Sequence, residues 1–188
     1  ANDQRRKALK LAESRPEIHV IGEIVGATGF PSGVSCKWNM ATGDKWTVLN
    51  GDISGQTHTD YPVGDMAVWA HPIDIHYVAG TVHGWPRIAV QVWKLDEYGR
   101  NESQAYGFVH VPSTAGSFDL EISTWRPLGS HGVEVSAFFL GSKPQLASSD
   151  MIVKDISDRY RLTTEAAGTV YVHLDVVFKN LEMHHVEW

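Results

Sequence analysis

WAHPIDIHYVAGTVHGWPRIAVQVWKLDEYGR, residues 69–100, decides the fold. It reads as two strands, Pro72 to Val78 and Arg87 to Trp93, joined by a glycine-bearing connection and followed by a charged loop. The second strand alternates: Ile88, Val90 and Val92 share one face, and Arg87, Ala89, Gln91 and Trp93 the other. Trp69, Trp85 and Trp93 lie beside the turns, where large rigid aromatics close the ends of a sandwich core. The stretch therefore predicts an all-β module, and it holds no arrangement of reactive groups.

Working outward, the flanking chain repeats this pattern. Pro16 disfavours helix at Arg15, so a basic N-terminal extension, residues 1–15, ends there and a domain over 16–181 begins. In EIHVIGEIV, residues 17–25, Ile18, Val20 and Ile24 face one way and His19, Ile21, Glu23 and Val25 the other. Apolar residues on both faces predict a central strand. GATGFPSG is expected as a loop, SCKWNMA as a short strand, and TGDK as a turn into WTVL. Beyond the deciding stretch, LDEYGRNESQ reads as a polar loop, AYGFVHV as a strand closed by Pro112, and TWRPLGSHG as a corner. SFDLEIS, residues 117–123, turns Phe118, Leu120 and Ile122 inward. VEVSAFFL, residues 133–140, predicts a short helix. TVYVHLDVVF, residues 169–178, is the clearest strand, with Val170, Val172, Leu174, Val176 and Phe178 on one face. Residues 182–188 are read as a tail.

Composition bounds the function. The chain has 188 residues, 43% hydrophobic and 20% charged, which fits one globular domain. No apolar run approaches the roughly 20 residues of a membrane-spanning helix, and no secretory signal is visible. Cys36 is the single cysteine, so no internal disulfide forms and a cytoplasmic setting is expected. Net charge is −6, but residues 1–15 carry five basic residues against two acidic, leaving −9 for the rest. That acidic body argues against nucleic acid as a partner. The basic start reads as a solvated extension or a contact for an acidic surface.

Candidate chemistry is sparse. His71 and His76 stand five apart, so on one strand they face opposite ways and cannot share a metal. HExxH, a cysteine pair, an EF-hand loop, a G-x-S-x-G elbow and a phosphate-binding GK[ST] are all missing. Cys36 reads as a packing residue, and Asp96, Glu97 and Arg100 as a solvated loop. No catalytic residue, metal ligand or cofactor site is assigned. Trp38, Trp69, Trp85, Arg87, Trp93, Arg100, Trp125 and Arg126 divide between core packing and a protein-binding face, since Trp and Arg dominate interface hot spots.

Resemblance carries the reading further. Trp69, His71-Pro72-Ile73-Asp74-Ile75-His76, Gly84-Trp85-Pro86-Arg87, Gln91-Val92-Trp93, Asp96 and Gly99-Arg100 resemble the B9 domain family. HVIGEIVGATGF, CKW, GDMAVWAHP, YGFVHVPS, TWRPLGS, GSKPQL, DRYRL and GTVYVHL extend the resemblance over roughly residues 17–180 in one register. It implies a C2-like antiparallel β-sandwich with short helices. It also implies a non-enzymatic scaffold in the ciliary transition zone and basal body, which helps build the cilium and its diffusion barrier. The partners it implies are other B9 domain proteins and the Meckel and tectonic proteins. On this reading the candidate partner-binding residues are Trp69, His71, Trp85, Arg87, Arg100, Trp125 and Arg126.

Two further classes are weighed. One is a calcium-independent peripheral phospholipid-binding module making a weak membrane contact. In calcium-binding C2 domains acidic ligands follow a strand ending in tryptophan, and here Lys94 stands in that position after Trp93. The other is a sugar-binding jelly roll, which needs exposed, paired tryptophan platforms.

Overall fold

The computed structural model describes residues 15–30, 33–95, 100–127 and 164–181. These form nine strands: β1 (Glu17–Thr28), β2 (Val34–Ala41), β3 (Trp46–Gly51), β4 (Ser54–Gln56), β5 (Met66–Ala79), β6 (Arg87–Leu95), β7 (Asn101–His110), β8 (Gly116–Pro127) and β9 (Thr164–Lys179). No helix occurs among the described residues, and the helix expected at Val133–Leu140 lies outside them.

All pairings are antiparallel, in the order β3-β5-β1-β9-β8-β7-β6-β2-β4. Between β8 and β7 the register holds one pair, Tyr106 with Trp125. The sheet turns over at that seam. It leaves a five-stranded half, β3-β5-β1-β9-β8, facing a four-stranded half, β7-β6-β2-β4. Contacts across the gap show the closure: the Trp38 ring on β2 meets His71 on β5 edge-on at 5.9 Å. Trp69 Nε1 on β5 donates to the Val34 carbonyl on β2 at 3.1 Å. This is the expected sandwich.

Alternation fills it. Ile18, Val20 and Ile24 on β1, Ile88, Val90 and Val92 on β6, and Val170, Val172, Leu174 and Val176 on β9 all belong to one buried cluster. Burying such a side chain stabilises by roughly 1.5–3 kcal/mol. Phe178 is half-buried at the end of that row, its ring 6.2 Å from Trp85. A smaller cluster, Ala89 and Tyr106 with Ala41, Phe108 and Trp125, lies apart from the main core.

β1 is central, flanked by β5 and β9. Its second face, however, is not sealed by apolar packing: Ile21 is 40% exposed, and His19, Glu23 and Val25 are half-buried. An outer face of an antiparallel sandwich meets water, so mixed character suffices there. Gly22 on β1 has no room for a Cβ, which would run into the backbone of His173 and Leu174 on β9.

Several strands run longer than the sequence pattern predicts. β1 passes through Gly26–Thr28, expected as loop, by way of an irregularity between Ile24 and Gly26. β5 begins at Met66 rather than Pro72, and Ala70 on it has φ of 45°. β7 includes Asn101–Gln104, expected as loop, and β8 includes Thr124–Pro127, expected as corner, beyond an irregularity between Ser123 and Trp125. Pro72 is tolerated because the β3 ladder on β5 ends at Ile75, so no partner on that side needs its missing N–H.

Candidate functional site

The residues singled out in the sequence go to different places. Trp69 is 3% exposed and tied to Val34, so it is a core pillar with no surface to offer a partner. His71 is half-buried against Trp38, and burial, with His58 nearby, holds its pKa below the usual histidine value. Trp85 caps one end of the core. Its ring meets Trp46 edge-on at 5.4 Å and its Nε1 donates to the Val111 carbonyl at 2.7 Å. Arg87 opens β6, half-buried and paired in register with His110. Trp125 stacks at a tilt on Tyr106, 5.5 Å between ring centroids, in the second cluster. Arg126 pairs with Glu165 on β9, and Arg100 is exposed just before β7. Trp69 and Trp85 thus belong to the main core, whereas Arg87, in register with Ala41, borders the second cluster that holds Trp125. Among the described residues no tryptophan is exposed, which removes the sugar-platform reading.

The outer face of the five-stranded half is the more organised polar surface. Pairing places His19 opposite His76, and their rings stack at 5.0 Å. His19 Nε2 lies 2.7 Å from Asp74, and His76 Nε2 lies 2.9 Å from Glu17. Glu17 is 3% exposed, and Lys179 completes its coordination at 3.0 Å, so the buried carboxylate is neutralised by a cation. His173 Nδ1 donates to Asp119 at 2.6 Å, and that bond raises the His173 pKa, with Asp175 and Glu23 adding to it. Sequence reading missed this row because its members come from four strands.

The imidazoles are held by carboxylates. Ser117 Oγ also lies 3.3 Å from His173 Nε2 while Asp119 holds Nδ1, a serine, histidine and aspartate in line, but the trio stands on an exposed sheet face open to water. Among the described residues, no three His, Cys, Asp or Glu side chains are placed to hold a metal ion. Cys36 is fully buried and burial pushes its thiol up to about 12, so it is no nucleophile. Asp60, in the loop before β5, spends its carboxylate on the Val68 N–H at 2.8 Å. The same loop exposes Tyr61 (62%) and Val63 (fully), side chains that sequence reading also passed over.

The family described as "B9-C2: Ciliary basal body-associated, B9 protein" matches residues 18–177. The chain belongs to the B9 family. B9 domain-containing protein 2 of Xenopus laevis is 46% identical over 173 residues, covering 91% of this chain and 98% of the relative. The human protein of that name matches to the same extent. The Drosophila melanogaster one is 34% identical over 176 residues, covering 92% and 98%. Among solved structures, a C2 domain of plant Extended Synaptotagmin 1 aligns with a TM-score of 0.42 and 12% identity, over 88% of this chain and 95% of that one. The B9 match spans β1 to β9 and so takes in the whole sandwich. No helix among the described residues is long and apolar enough to cross a membrane.

Proposed function

We propose that this B9 protein is a non-enzymatic scaffold subunit of the ciliary transition zone. In this reading it sits in the cytoplasm at the base of the cilium and binds other B9 domain proteins together with Meckel and tectonic proteins. Through them it contributes to cilium assembly and to the diffusion barrier. The observation that carries the reading is the family match across the whole sandwich, from β1 to β9. The site geometry supports it, since His19, His76 and His173 are each held by a carboxylate on an outer sheet face and Cys36 is sealed. Trp85, Arg87, Arg100, Trp125 and Arg126 remain the candidate contacts, with His71 at the rim, while Trp69 acts through the core. Tagged protein expressed in ciliated cells is expected at the base of the cilium and in a complex with other B9 domain proteins. An even cytosolic distribution with none of them recovered sinks the reading.

A second reading rests on the exposed Tyr61 and Val63 at the loop before β5. Such a tip can enter a lipid surface as a weak, calcium-independent contact. Asp60 and Asp65 flank it, so anionic lipid gains nothing there. Flotation with neutral and anionic vesicles tests it: the reading expects weak binding, removed by Val63→Asp. Binding unchanged by that substitution excludes the tip.

A further inference from the structure

One end of the sandwich carries a cleft of about 620 Å³, lined by residues distant in the chain: Arg15 and Pro16 before β1, Lys45 and Thr47 around the start of β3, the turn after β5, and Leu181 after β9. Its walls are tied together. The Ala79 N–H donates to the Pro16 carbonyl and the Gly80 N–H to the Lys45 carbonyl, both at 2.9 Å. Asn180 Nδ2 donates to the Arg15 carbonyl at 3.4 Å. The floor is apolar: Ile18, Ala79 and the Trp85 indole, with Val82, 46% exposed, at the mouth.

Its charge is the opposite of the body's. Arg15 and Lys45 line the cleft and, among the described residues, no carboxylate does, although residues 16–188 carry a net −9. Glu17, next in the chain to Pro16, turns away to the outer face, where His76 and Lys179 hold it. One lining residue, Thr47, belongs to β3, an edge strand. β3 ends the strand order, and its outer edge has no strand beside it among the described residues. Such an edge presents alternating backbone N–H and C=O groups, and an extended segment can pair with both, whereas an anionic headgroup or small anion could accept from the N–H groups alone. The volume falls in the range, roughly 300–1,000 Å³, of pockets that admit a few side chains.

We propose that this cleft docks an extended segment of a partner protein, carrying Asp or Glu beside a large apolar side chain. The apolar group enters against Trp85, and the carboxylates meet Arg15 and Lys45. The assignment rests on the scaffold reading and names the chemistry of one of its contacts. It makes Trp85 part of the cleft floor while the indole keeps its contacts with Trp46, Phe178 and the Val111 carbonyl.

The test places a photo-reactive benzoylphenylalanine at Val82 of the full chain in ciliated cells and maps the cross-linked peptides by mass spectrometry. The expected product is a partner peptide with acidic residues next to Leu, Phe or Trp. Its yield should fall at least tenfold when Lys45→Glu and Arg15→Glu are combined. Both side chains are at the surface, so the melting temperature should hold. Cross-links to lipid, to residues 1–14 or 182–188 of the same chain, or to no protein at all overturn the assignment. So does a yield indifferent to the two charge reversals. Co-purification from the same cells separates the two claims. Recovery of B9 partners without the expected cross-link removes the cleft alone, and loss of those partners removes the scaffold reading itself.

Discussion

Single residues set what this protein resists. Val172, 1% exposed, lies on β9 between β1 and β8. Val172→Asp buries a carboxylate with no partner, and a loss of more than about 4 kcal/mol is expected, enough to abolish the folded state. Urea unfolding of the soluble fraction checks it, and wild-type stability would mean that the face is not core. Gly22→Ala puts a methyl against the β9 backbone, and a loss of about 1–3 kcal/mol is expected from such overpacking. Cys36 should not react with a thiol reagent in the folded protein and should react in urea, since burial and a thiol near 12 both suppress the thiolate. His173 titrates on the surface. Its folded pKa is raised above the ordinary 6.5 by the Asp119 bond, so its stabilising contribution is complete below 6.5. That contribution is lost as pH climbs through the raised value. The stability difference between wild type and His173→Gln should accordingly shrink as pH rises through that window. A difference that grows with pH would contradict the Asp119 assignment.

At the scale of elements, alternation and glycine or proline punctuation made most strands readable. β9 follows its sequence pattern because one face is sealed and the other is not, whereas β6 keeps period two in its residue types although Ala89 on its second face is also buried. Legibility failed where geometry breaks the period. The positive φ at Ala70 and the proline at 72 split β5 into a lead-in and a strand, although it is one element. The irregularity between Ser123 and Trp125 disguises the last residues of β8 as a corner. Asn101–Gln104 looked like loop because polar side chains dominate the stretch, yet Ser103 is buried and receives a bond from Gln91. The site was legible only in part. Trp85 was marked by its chemistry, but the cleft it floors joins Arg15, Ile18, Lys45, Thr47, Val82 and Leu181, and no local pattern connects them. Trp85 also joins elements. It bridges β3 through Trp46, β9 through Phe178 and the segment after β7 through Val111. Trp85→Ala should cost about 3 kcal/mol by chemical denaturation, as expected for removal of a large aromatic from packing. A variant with unchanged stability would place Trp85 outside the core.

At the scale of the molecule, two halves closed over one main core present an acidic, histidine-bearing outer face and a cationic cleft at one end. Calcium should add nothing. Among the described residues no three His, Cys, Asp or Glu side chains are placed to hold a metal ion, and Asp60 is committed to the backbone of β5. Calorimetric titration of calcium, with and without anionic vesicles, should give no saturable heat at micromolar concentration, and a stoichiometric heat would overturn this. The central claim is that the chain works by binding other B9 domain proteins. Its most direct test is co-expression with a B9 domain-containing protein 1, followed by size-exclusion chromatography with mass determination. A single species containing both chains in equal amounts, surviving raised salt, is predicted. Two separate monomer peaks under conditions where each protein is folded would contradict it.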